Sequence, residues 1–313
     1  MSLDSPKTGK GYFLGRLADE FAKMGIKVTA DPKKKVDITL GVGKFIFPPK
    51  GKAILRLGDI HKDSNENYKK LNKRKKNALK IADGVIYQSK YSRKLTHSFI
   101  GKEKCPSTVI FNGASPEFYK DIKPKDSPFK YNFLASTRKW LTQKRLKQTI
   151  KAFKEADIPD SCLWIAGIVL GGEKKYKSKN IRFLGLLDGK ELGSYYKLCD
   201  AMIDITFLSA CPNNVVEALV AGCPVICGDQ GGTIELTGGS WDIETKKYDF
   251  KPINLKKPPK IKRDELVRVI RFHTLGPPDR NFPNEAFERL QERLHIDTIA
   301  KKYDQFFRKV LDA

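Results

Sequence analysis

Residues 213–236, NNVVEALVAGCPVICGDQGGTIEL, place a helix, a strand and a glycine loop in fixed order. Asn213 and Asn214 are good caps for the helix NNVVEAL, Gly222 suits a left-handed residue at its end, and Pro224 follows where a helix cannot continue. PVIC is then a short apolar run typical of a buried parallel strand, and it stops in a loop that can approach a ligand closely. Because open α/β sheets bind ligands at the carboxyl ends of their strands, this stretch predicts half of a nucleotide-binding unit.

Glu217 is expected in the first turn of this helix. The helix dipole favours a carboxylate there, and that carboxylate could accept hydrogen bonds from ligand hydroxyls. A solvated N-terminal glutamate is the alternative interpretation, because acidic residues are common in first turns.

The same stretch resembles the sugar-nucleotide signature of family 4 glycosyltransferases of the GT-B fold, in which a glutamate precedes A-x-A-x-G-x-P-V-I and G-G-x-x-E follows. The positions that match are Glu217, Gly222, Pro224, Gly231, Gly232 and Glu235. That family usually carries a second glutamate eight positions before the first, and this chain has Ser209 there. The departure concerns one contact to a sugar hydroxyl. In the resembled family Glu217 would grip the sugar, and Glu235 or the amides of Gly231, Gly232 and Thr233 would hold the donor.

The composition indicates a folded chain of two ordinary domains, since the 313 residues are 40% hydrophobic. No apolar run is long enough to span a bilayer, and the first residues, MSLDSPKTGKG, lack the apolar core of a signal peptide. The expected localisation is cytoplasmic, with peripheral contact to a membrane left open. Six cysteines without a C-x-x-C pair suggest neither a zinc site nor disulfides, and no D-x-D pair is present. We therefore expect no metal and no cofactor beyond a nucleotide-sugar co-substrate.

The net charge of +24 is concentrated in the first part of the chain. Residues 1–120 hold 26 Lys and Arg against 11 Asp and Glu, a net of +15. Basic surface of this density attracts nucleic acid, an anionic membrane or a phosphorylated glycan. A lysine-rich but merely solvated surface is the alternative.

Two stretches near the amino terminus could carry chemistry. Gly9, Lys10 and Gly11 precede an amphipathic helix, and a glycine loop that enters a helix is an anion site because its N–H groups point outward. It matches the glycine loop that opens the first domain in the resembled family. The apolar strand beginning at Ala53, AILRLGDIHKD, delivers Asp59 and His61 to its carboxyl end, where a catalytic side chain would stand. The resembled family often has His or Asp there, in contact with the transferred sugar.

In the second domain, the strand YNFLAST runs into the basic segment RKWLTQKRLK. In the resembled family an Arg and a Lys at this junction hold the donor diphosphate, because two cations and a helix amino terminus neutralise its charge. Lys144 fits the lysine position. Arg138 is one residue farther away than usual, so Lys139 or Arg145 is the alternative, and a plain basic loop is another. The Leu184-Gly185-Leu186 turn matches the family's F-L-G, whose backbone lies beside the nucleobase.

Strands alternate with helices along the chain, which predicts a doubly wound α/β architecture. The resemblance implies a GT-B fold of two Rossmann-like domains facing a cleft, with a small acceptor domain at 1–122, a sugar-nucleotide domain at 131–295 and a terminal helix at 296–313 packing back on the first domain. It implies a glycosyltransferase, retaining and metal-independent, that uses a UDP- or GDP-sugar and a large or anionic acceptor. A glycan or lipid-linked acceptor is the first hypothesis; a nucleic acid acceptor and a non-catalytic polyanion-binding protein are the alternatives.

Overall fold

The computed structural model describes residues 9–173, 176, 178–239, 242–274 and 285–313. Its helices are α1 Gly9–Lys23, α2 Tyr68–Lys80, α3 Lys90–Phe99, α4 Pro116–Lys120, α5 Leu146–Ala156, α6 Gly189–Leu198, α7 Asn213–Val220, α8 Thr233–Thr237, α9 Arg263–Phe272, α10 Glu285–Glu292 and α11 Ile296–Leu311. Its strands are β1 Ile38–Val42, β2 Lys52–Leu57, β3 Gly84–Tyr87, β4 Ser107–Val109, β5 Tyr131–Trp140, β6 Ser161–Val169, β7 Ile181–Gly185, β8 Ala201–Asp204, β9 Val225–Gly228 and β10 Asp242–Ile243. None of the described helices is both long and apolar enough to span a bilayer.

The chain forms two compact units. Unit 1 comprises Met1–Ser115, Tyr248–Asn254 and Arg293–Ala313, and unit 2 comprises Pro116–Lys247 and Leu255–Glu292. The boundary lies before α4 and not at residue 122, because Tyr119 of α4 packs on Tyr196 of α6, with ring centroids 6.3 Å apart. The segment Tyr248–Asn254 belongs to unit 1, where Ile253 bridges to Asp63.

Unit 1 is built on a parallel sheet in the order β1-β2-β3-β4. Apolar residues fill the central strands β2 and β3 and are fully buried, as expected for a parallel sheet covered on both faces. Helix α11 lies in this unit and packs against α1, where Tyr303 and Phe307 meet Phe21 at centroid distances of 6.3 and 5.7 Å. The end of the chain therefore contributes to the core of the unit that its first helix begins.

Arg56 is a buried cation at the centre of unit 1. Its Nε donates to the hydroxyl of Tyr303 at 2.6 Å, its Nη2 donates to Asn112 Oδ1, and its guanidinium lies 4.3 Å from the centroid of the Phe13 ring. One side chain of β2 is thereby tied to α11, to the segment after β4 and to α1. Buried charges cost folding energy unless hydrogen-bonded, so this network fixes how those elements pack.

A second polar cluster of unit 1 surrounds Glu103, after α3. Its carboxylate accepts hydrogen bonds from Ser107 Oγ at 2.6 Å and Tyr87 Oη at 2.7 Å, and it meets His97 Nε2 at 2.7 Å. Burial alone would raise the pKa of Glu103, but the hydrogen bonds from Ser107 and Tyr87 outweigh it and lower the pKa to about 2. The Glu103 carboxylate is therefore ionised across the neutral pH range.

Unit 2 contains a parallel sheet in the order β10-β9-β8-β5-β6-β7. One face is covered by α5 and α9, which bury Phe153, Leu266 and Ile270 in a core with strand residues such as Phe133. Arg271 of α9 donates through Nε to the carbonyl of Ala156 at the end of α5, at 2.8 Å. These contacts make a doubly wound α/β unit, as the alternating pattern of the sequence predicts.

The local sequence predicts a strand beginning at residues 26–29, a basic helix from Ser64 to Leu79, and Met24 on the apolar face of the first helix, and all three differ from the structure. Residues 26–29, IKVT, do not form a strand. A run of four residues with only two apolar side chains would bury too little apolar surface at the edge of the sheet to stabilise strand pairing. The first basic helix starts at Tyr68 and not at Ser64, because the Asn67 side chain caps it by accepting from Lys70 N at 3.0 Å. Met24 lies just after α1 and is 38% exposed, whereas Leu14, Leu17 and Phe21 are buried.

Candidate functional site

The sheet of unit 2 reverses its direction of growth at β5. The chain adds β6 and β7 on one side of β5, then returns to place β8, β9 and β10 on the other. The loops that follow β5 and β8 therefore leave in opposite directions and open a crevice at the carboxyl ends of those strands. Residues after β5, β8 and β9 are the ones positioned to line it.

The end of β5, where Arg138 lies, carries an irregularity. The pairing of β5 with β6 shifts register between Ser136 and Lys139. Opposite this irregularity lies Gly167 at φ +110°, where an added Cβ would stand 1.7 Å from the carbonyl oxygen of Thr137. A glycine is required at that position, and the close approach leaves Arg138 and Lys139 exposed at the strand end.

Lys144 ends the single 3-10 turn Thr142–Lys144 between β5 and α5. The side chain is partly exposed, and within the described part of the chain it makes no hydrogen bond or ion pair. The loop after β8 joins this turn directly, because Phe207 N donates to Gln143 O at 2.9 Å. An available ammonium thus stands where the loops of β5 and β8 meet.

Arg145, an alternative cation for the diphosphate in the sequence prediction, cannot take that part. It is buried at φ +59°, donates through Nη1 to the carbonyl of Ile205 at 3.0 Å and through Nη2 to that of Pro259 at 2.7 Å, and stacks 5.1 Å from the Phe207 ring. Burial lowers the pKa of Arg145 to about 10, against a smaller opposing effect of Asp229. Its role is to hold the loop after β8 beneath the turn that presents Lys144.

The amino terminus of α7 differs from the prediction in detail. Pro212 is the N-cap residue, so Asn213 and Asn214 lie inside the first turn and do not cap it. Asn214 instead donates through Nδ2 to the carbonyl of Ser136 at 2.8 Å and to Asp204 Oδ2 at 3.3 Å. It therefore anchors the helix to the ends of β5 and β8. The correction follows from these acceptors, which the folded sheet supplies and the local sequence does not.

Glu217 lies in the second turn of α7, not the first, because the helix already begins at Asn213. Its side chain is partly buried. The first turn of α7 contains no acidic residue, so its N–H groups carry a partial positive charge that no carboxylate of the helix offsets. Glu217 is the nearest acid along the helix and could still accept hydrogen bonds from ligand hydroxyls.

The glycine loop after β9 is packed tightly on the loop after β8. Gly232 N donates to Ser209 O at 2.6 Å, and an added Cβ on Gly231, at φ +96°, would stand 2.9 Å from the same oxygen. Only glycine permits this approach. Thr233 begins α8, and its buried Oγ1 has no hydrogen-bond partner among the described residues. Glu235 follows in the same helix, partly exposed.

Gly185 ends β7, the outermost strand on the other side of β5. It adopts φ +67° and has open space where a Cβ would be, and Leu186 beyond it is 56% exposed. The turn therefore lies at the same edge of the sheet as Lys144, with its backbone accessible. Because β6 lies between β7 and β5, this turn lies at the periphery of the candidate site.

In unit 1, Asp59 and His61 follow β2 as predicted. Lys62 Nζ, which is buried, donates to Asp59 Oδ1 at 2.5 Å. Asn72 of α2 clamps the His61 backbone from both sides, by accepting from its N at 3.0 Å and donating to its O at 2.7 Å. Burial, and then the charge of Lys75, lower the pKa of His61, while Glu66 opposes them. The net effect favours the neutral imidazole.

Gly9 and Gly11 lie in the first turn of α1 and not in a loop. The helix extends to them because Phe13, Leu14 and Leu17 bury one face of it in the core of unit 1. First-turn N–H groups lack intrahelical acceptors, so the anion-binding argument survives this correction. Any loop before Gly9 lies outside the described residues.

Sequence reasoning missed the role of Gly167, the backbone contact of Ser209 and the anchoring role of Asn214. A glycine inside the strand pattern CLWIAGIVL was the available signal for a bulge at Gly167. The backbone contact of Ser209 with Gly232 had no signal, since any residue type can supply a carbonyl.

Comparison with known structures places this fold. The chain is similar to a sucrose-phosphate synthase from Thermosynechococcus elongatus, at 14% identity over 97% of this chain and 94% of that one, with a TM-score of 0.73. It is also similar to Anabaena HepE in complex with UDP, at 18% identity over 96% and 77% with a TM-score of 0.63, and to a glycosyltransferase from Rickettsia africae, at 14% over 98% and 83% with a TM-score of 0.63. At these identities the likeness shows the fold, which is GT-B.

A search of curated proteins finds no match to this sequence. The family model of glycosyl transferases group 1 matches residues 118–238, the part of unit 2 that contains Lys144, Glu217 and the Gly231-Gly232 loop. Residues 118–238 are thus similar to glycosyl transferases group 1, and the chain has the GT-B fold.

Proposed function

We propose that the carboxyl edge of the unit 2 sheet binds a nucleotide sugar and that the protein transfers the sugar to an acceptor. The observation that carries the proposal is the convergence of Lys144, the first turn of α7 and the Gly231-Gly232-Thr233 loop on one crevice. A cation with no internal partner and N–H groups with no internal carboxylate suit a diphosphate. The match of residues 118–238 to glycosyl transferases group 1 supports the same assignment.

Each group has a proposed role that follows from its chemistry. Lys144 and the amides of the glycine loop hold the diphosphate, with Arg138 as the second cation. The unpaired Oγ1 of Thr233 gains a hydrogen bond from the donor. Glu217 accepts from sugar hydroxyls. Because charge on the leaving diphosphate is met by fixed cations and dipoles, transfer needs no metal in this scheme.

Several finer features belong to the proposal. The resemblance of the sequence motifs to those of family 4 glycosyltransferases supports three of them. These are membership of family 4, retention at the transferred carbon, and contact of His61 or Asp59 with the reacting sugar. The turn at Gly185 lies beside the nucleobase. A uridine nucleotide is our first choice of donor, because HepE of the same fold binds UDP. A GDP-sugar is the alternative.

The acceptor is proposed to be a glycan or lipid-linked glycan with anionic groups. The basis is the exposed cations of α2, a helix without any acidic residue, which are Lys69, Lys70, Lys73, Arg74, Lys76 and Lys80. Such a surface attracts phosphates at long range. The same surface suits nucleic acid, and a protein that bound nucleic acid with salt-dependent affinity but bound no nucleotide sugar would be the non-catalytic alternative.

The test is a thermal-shift panel of UDP-, GDP-, ADP- and TDP-sugars, followed by calorimetry with the selected nucleotide. A ligand at a hundred times its dissociation constant stabilises by about 2.7 kcal/mol, which is readily measured. Lys144→Ala should weaken binding roughly thirtyfold, the equivalent of about 2 kcal/mol for one charge-assisted contact. Lys147→Ala is the matched control, since Lys147 is exposed on α5 beside the site. If Lys144→Ala and Lys147→Ala bind the nucleotide with equal affinity, the proposed diphosphate site is wrong.

A further inference from the structure

Unit 1 contains a cavity of about 1100 Å³ beside the outer strand of its sheet. It is enclosed by α1, the extended segment 26–37, β1, the loop 43–50 and the end of α11. It exists because residues 26–29 do not join the sheet. Within the described residues β1 pairs with β2 alone, so its other edge faces this space.

The floor of the cavity is apolar. Leu14 and Phe21 of α1 and Phe307 of α11 lie at its base and belong to the core of unit 1, and Ile38 and Leu40 of β1 pack against that core. A volume of this size is at the upper end of those that enclose small ligands. Walls of this chemistry gain most from an apolar guest, because the guest and the walls both leave water.

The rim of the cavity exposes large apolar side chains to water. Val28, Ile46, Phe47 and Leu311 line it and are 41, 45, 52 and 43% exposed. Ile46 and Phe47 project from the loop after β1, between Lys44 and Lys50. Exposed apolar groups clustered around one opening mark a surface that is covered in use.

Positive charge surrounds the same opening. The cavity is lined by six cations and three acids. Two of the acids are engaged, since Asp304 pairs with Arg308 at 2.8 Å and Asp31 Oδ1 accepts from Lys33 N at 2.9 Å. The remaining lysines are Lys27, Lys34, Lys35 and Lys44, whose side chains make no hydrogen bond or ion pair with any described residue.

We propose that this cavity binds one hydrocarbon chain of a phosphate-bearing membrane lipid, with the free lysines on its phosphate and the Ile46-Phe47 loop in the bilayer interface. The apolar floor would hold the hydrocarbon chain, the exposed apolar rim would contact the bilayer interface, and the ammonium groups would bind the phosphate. A nucleic acid would use the lysines and leave the apolar cavity unfilled. The site is distinct from the sugar-nucleotide crevice of unit 2 and does not depend on it.

The test is flotation of the full-length protein with vesicles of phosphatidylcholine, with and without phosphatidic acid. The cavity variant V28N/I46N is compared with L71N/I81N, which makes the same kind of change at two exposed apolar positions of unit 1 away from the cavity. Neither pair alters the net charge. The cavity pair should weaken binding to phosphatidic acid vesicles about tenfold, since each lost apolar contact removes part of the transfer energy of the rim. The control pair should stay within about twofold of the parent.

A second comparison isolates the phosphate. Lys34→Gln with Lys35→Gln should abolish the preference for phosphatidic acid, whereas Lys102→Gln with Lys104→Gln, at two exposed lysines after α3 that do not line the cavity, should largely keep it. Dodecyl phosphate below its micelle concentration should displace the protein from vesicles, and inorganic phosphate should not. Equal effects of the two glutamine pairs, unchanged flotation of V28N/I46N, or salt-sensitive binding to nucleic acid in place of vesicles would each overturn the proposal. Circular dichroism and hydrogen exchange of peptides 52–57 and 296–311 confirm that unit 1 of every variant is folded.

Discussion

Removing the hydroxyl of Tyr303 should loosen unit 1 selectively. Tyr303→Phe keeps the ring that packs on Phe13 and Phe21 but deletes the acceptor that Arg56 Nε reaches at 2.6 Å. The guanidinium is 2% exposed, so water does not readily replace the lost acceptor. A hydrogen bond to a charged group is worth about 1.5–3 kcal/mol, and the buried donor left behind carries its desolvation penalty as well. We expect a loss of about 2 kcal/mol.

The two units can be observed separately. The three tryptophans, Trp140, Trp164 and Trp241, fall within residues 116–247, so their fluorescence reports on unit 2 during urea denaturation, whereas far-UV circular dichroism reports on both units. Hydrogen exchange of peptides 52–57 and 296–311 measures unit 1 directly. A loss of 2 kcal/mol should speed their exchange about thirtyfold, with peptide 161–169 as internal reference.

Tyr12→Phe is the matched control, because its hydroxyl is on the same unit and the residue is 58% exposed. It should change stability by less than about 0.5 kcal/mol. If Tyr303→Phe behaves like Tyr12→Phe, or if peptide 161–169 accelerates as much as those of unit 1, the reasoning that Arg56 organises this core is refuted.

Three further changes test other parts of the structure. Gly167→Ala should cost several kcal/mol in chemical denaturation, because its Cβ would meet Thr137 O, whereas Gly172→Ala, also at positive φ but in open space, should cost about 1 kcal/mol; equal costs would contradict the close approach. The folded-state pKa of Glu103 lies near 2, below its usual 4.5, so its contribution to stability is present above pH 4.5 and is lost as the pH falls toward 2. The stability difference between the parent and Glu103→Gln should therefore shrink over that interval, and a constant difference would contradict the assignment. Arg145→Lys should reduce both stability and nucleotide affinity in calorimetry, since lysine cannot donate to the carbonyls of Ile205 and Pro259 at the same time. Unchanged nucleotide affinity would show that the loop held by Arg145 does not shape the binding site.

The strongest sequence signals were those carried by short-range chemistry. Helix α7, strand β9 and the glycine loop were predicted together, because a capped apolar stripe, a β-branched run and paired glycines are read within a few residues of one another. The fold class followed from the alternation of such signals. Lys144 was identified through the resemblance of its segment to the family motif, and its ammonium has no partner among the described residues.

Other features depended on partners remote in sequence. Lys144 and Arg145 are adjacent cations in the sequence. Arg145 is buried and donates to the carbonyls of Ile205 and Pro259, whereas Lys144 is partly exposed. The local sequence predicted that Asn214 caps a helix. In the structure its side chain donates instead to the Ser136 carbonyl and the Asp204 carboxylate, at the ends of β5 and β8.

The sequence by itself determined the α/β class, the parallel strands and the location of the crevice at their carboxyl ends, because periodicity and glycine placement are local properties of the chain. Only the tertiary structure decided which cations stay available, that residues 26–29 leave the sheet, and that a cavity opens beside β1. The physical reason is that burial and hydrogen-bond competition are settled among groups far apart in the chain, and they outweigh local preference wherever the two disagree.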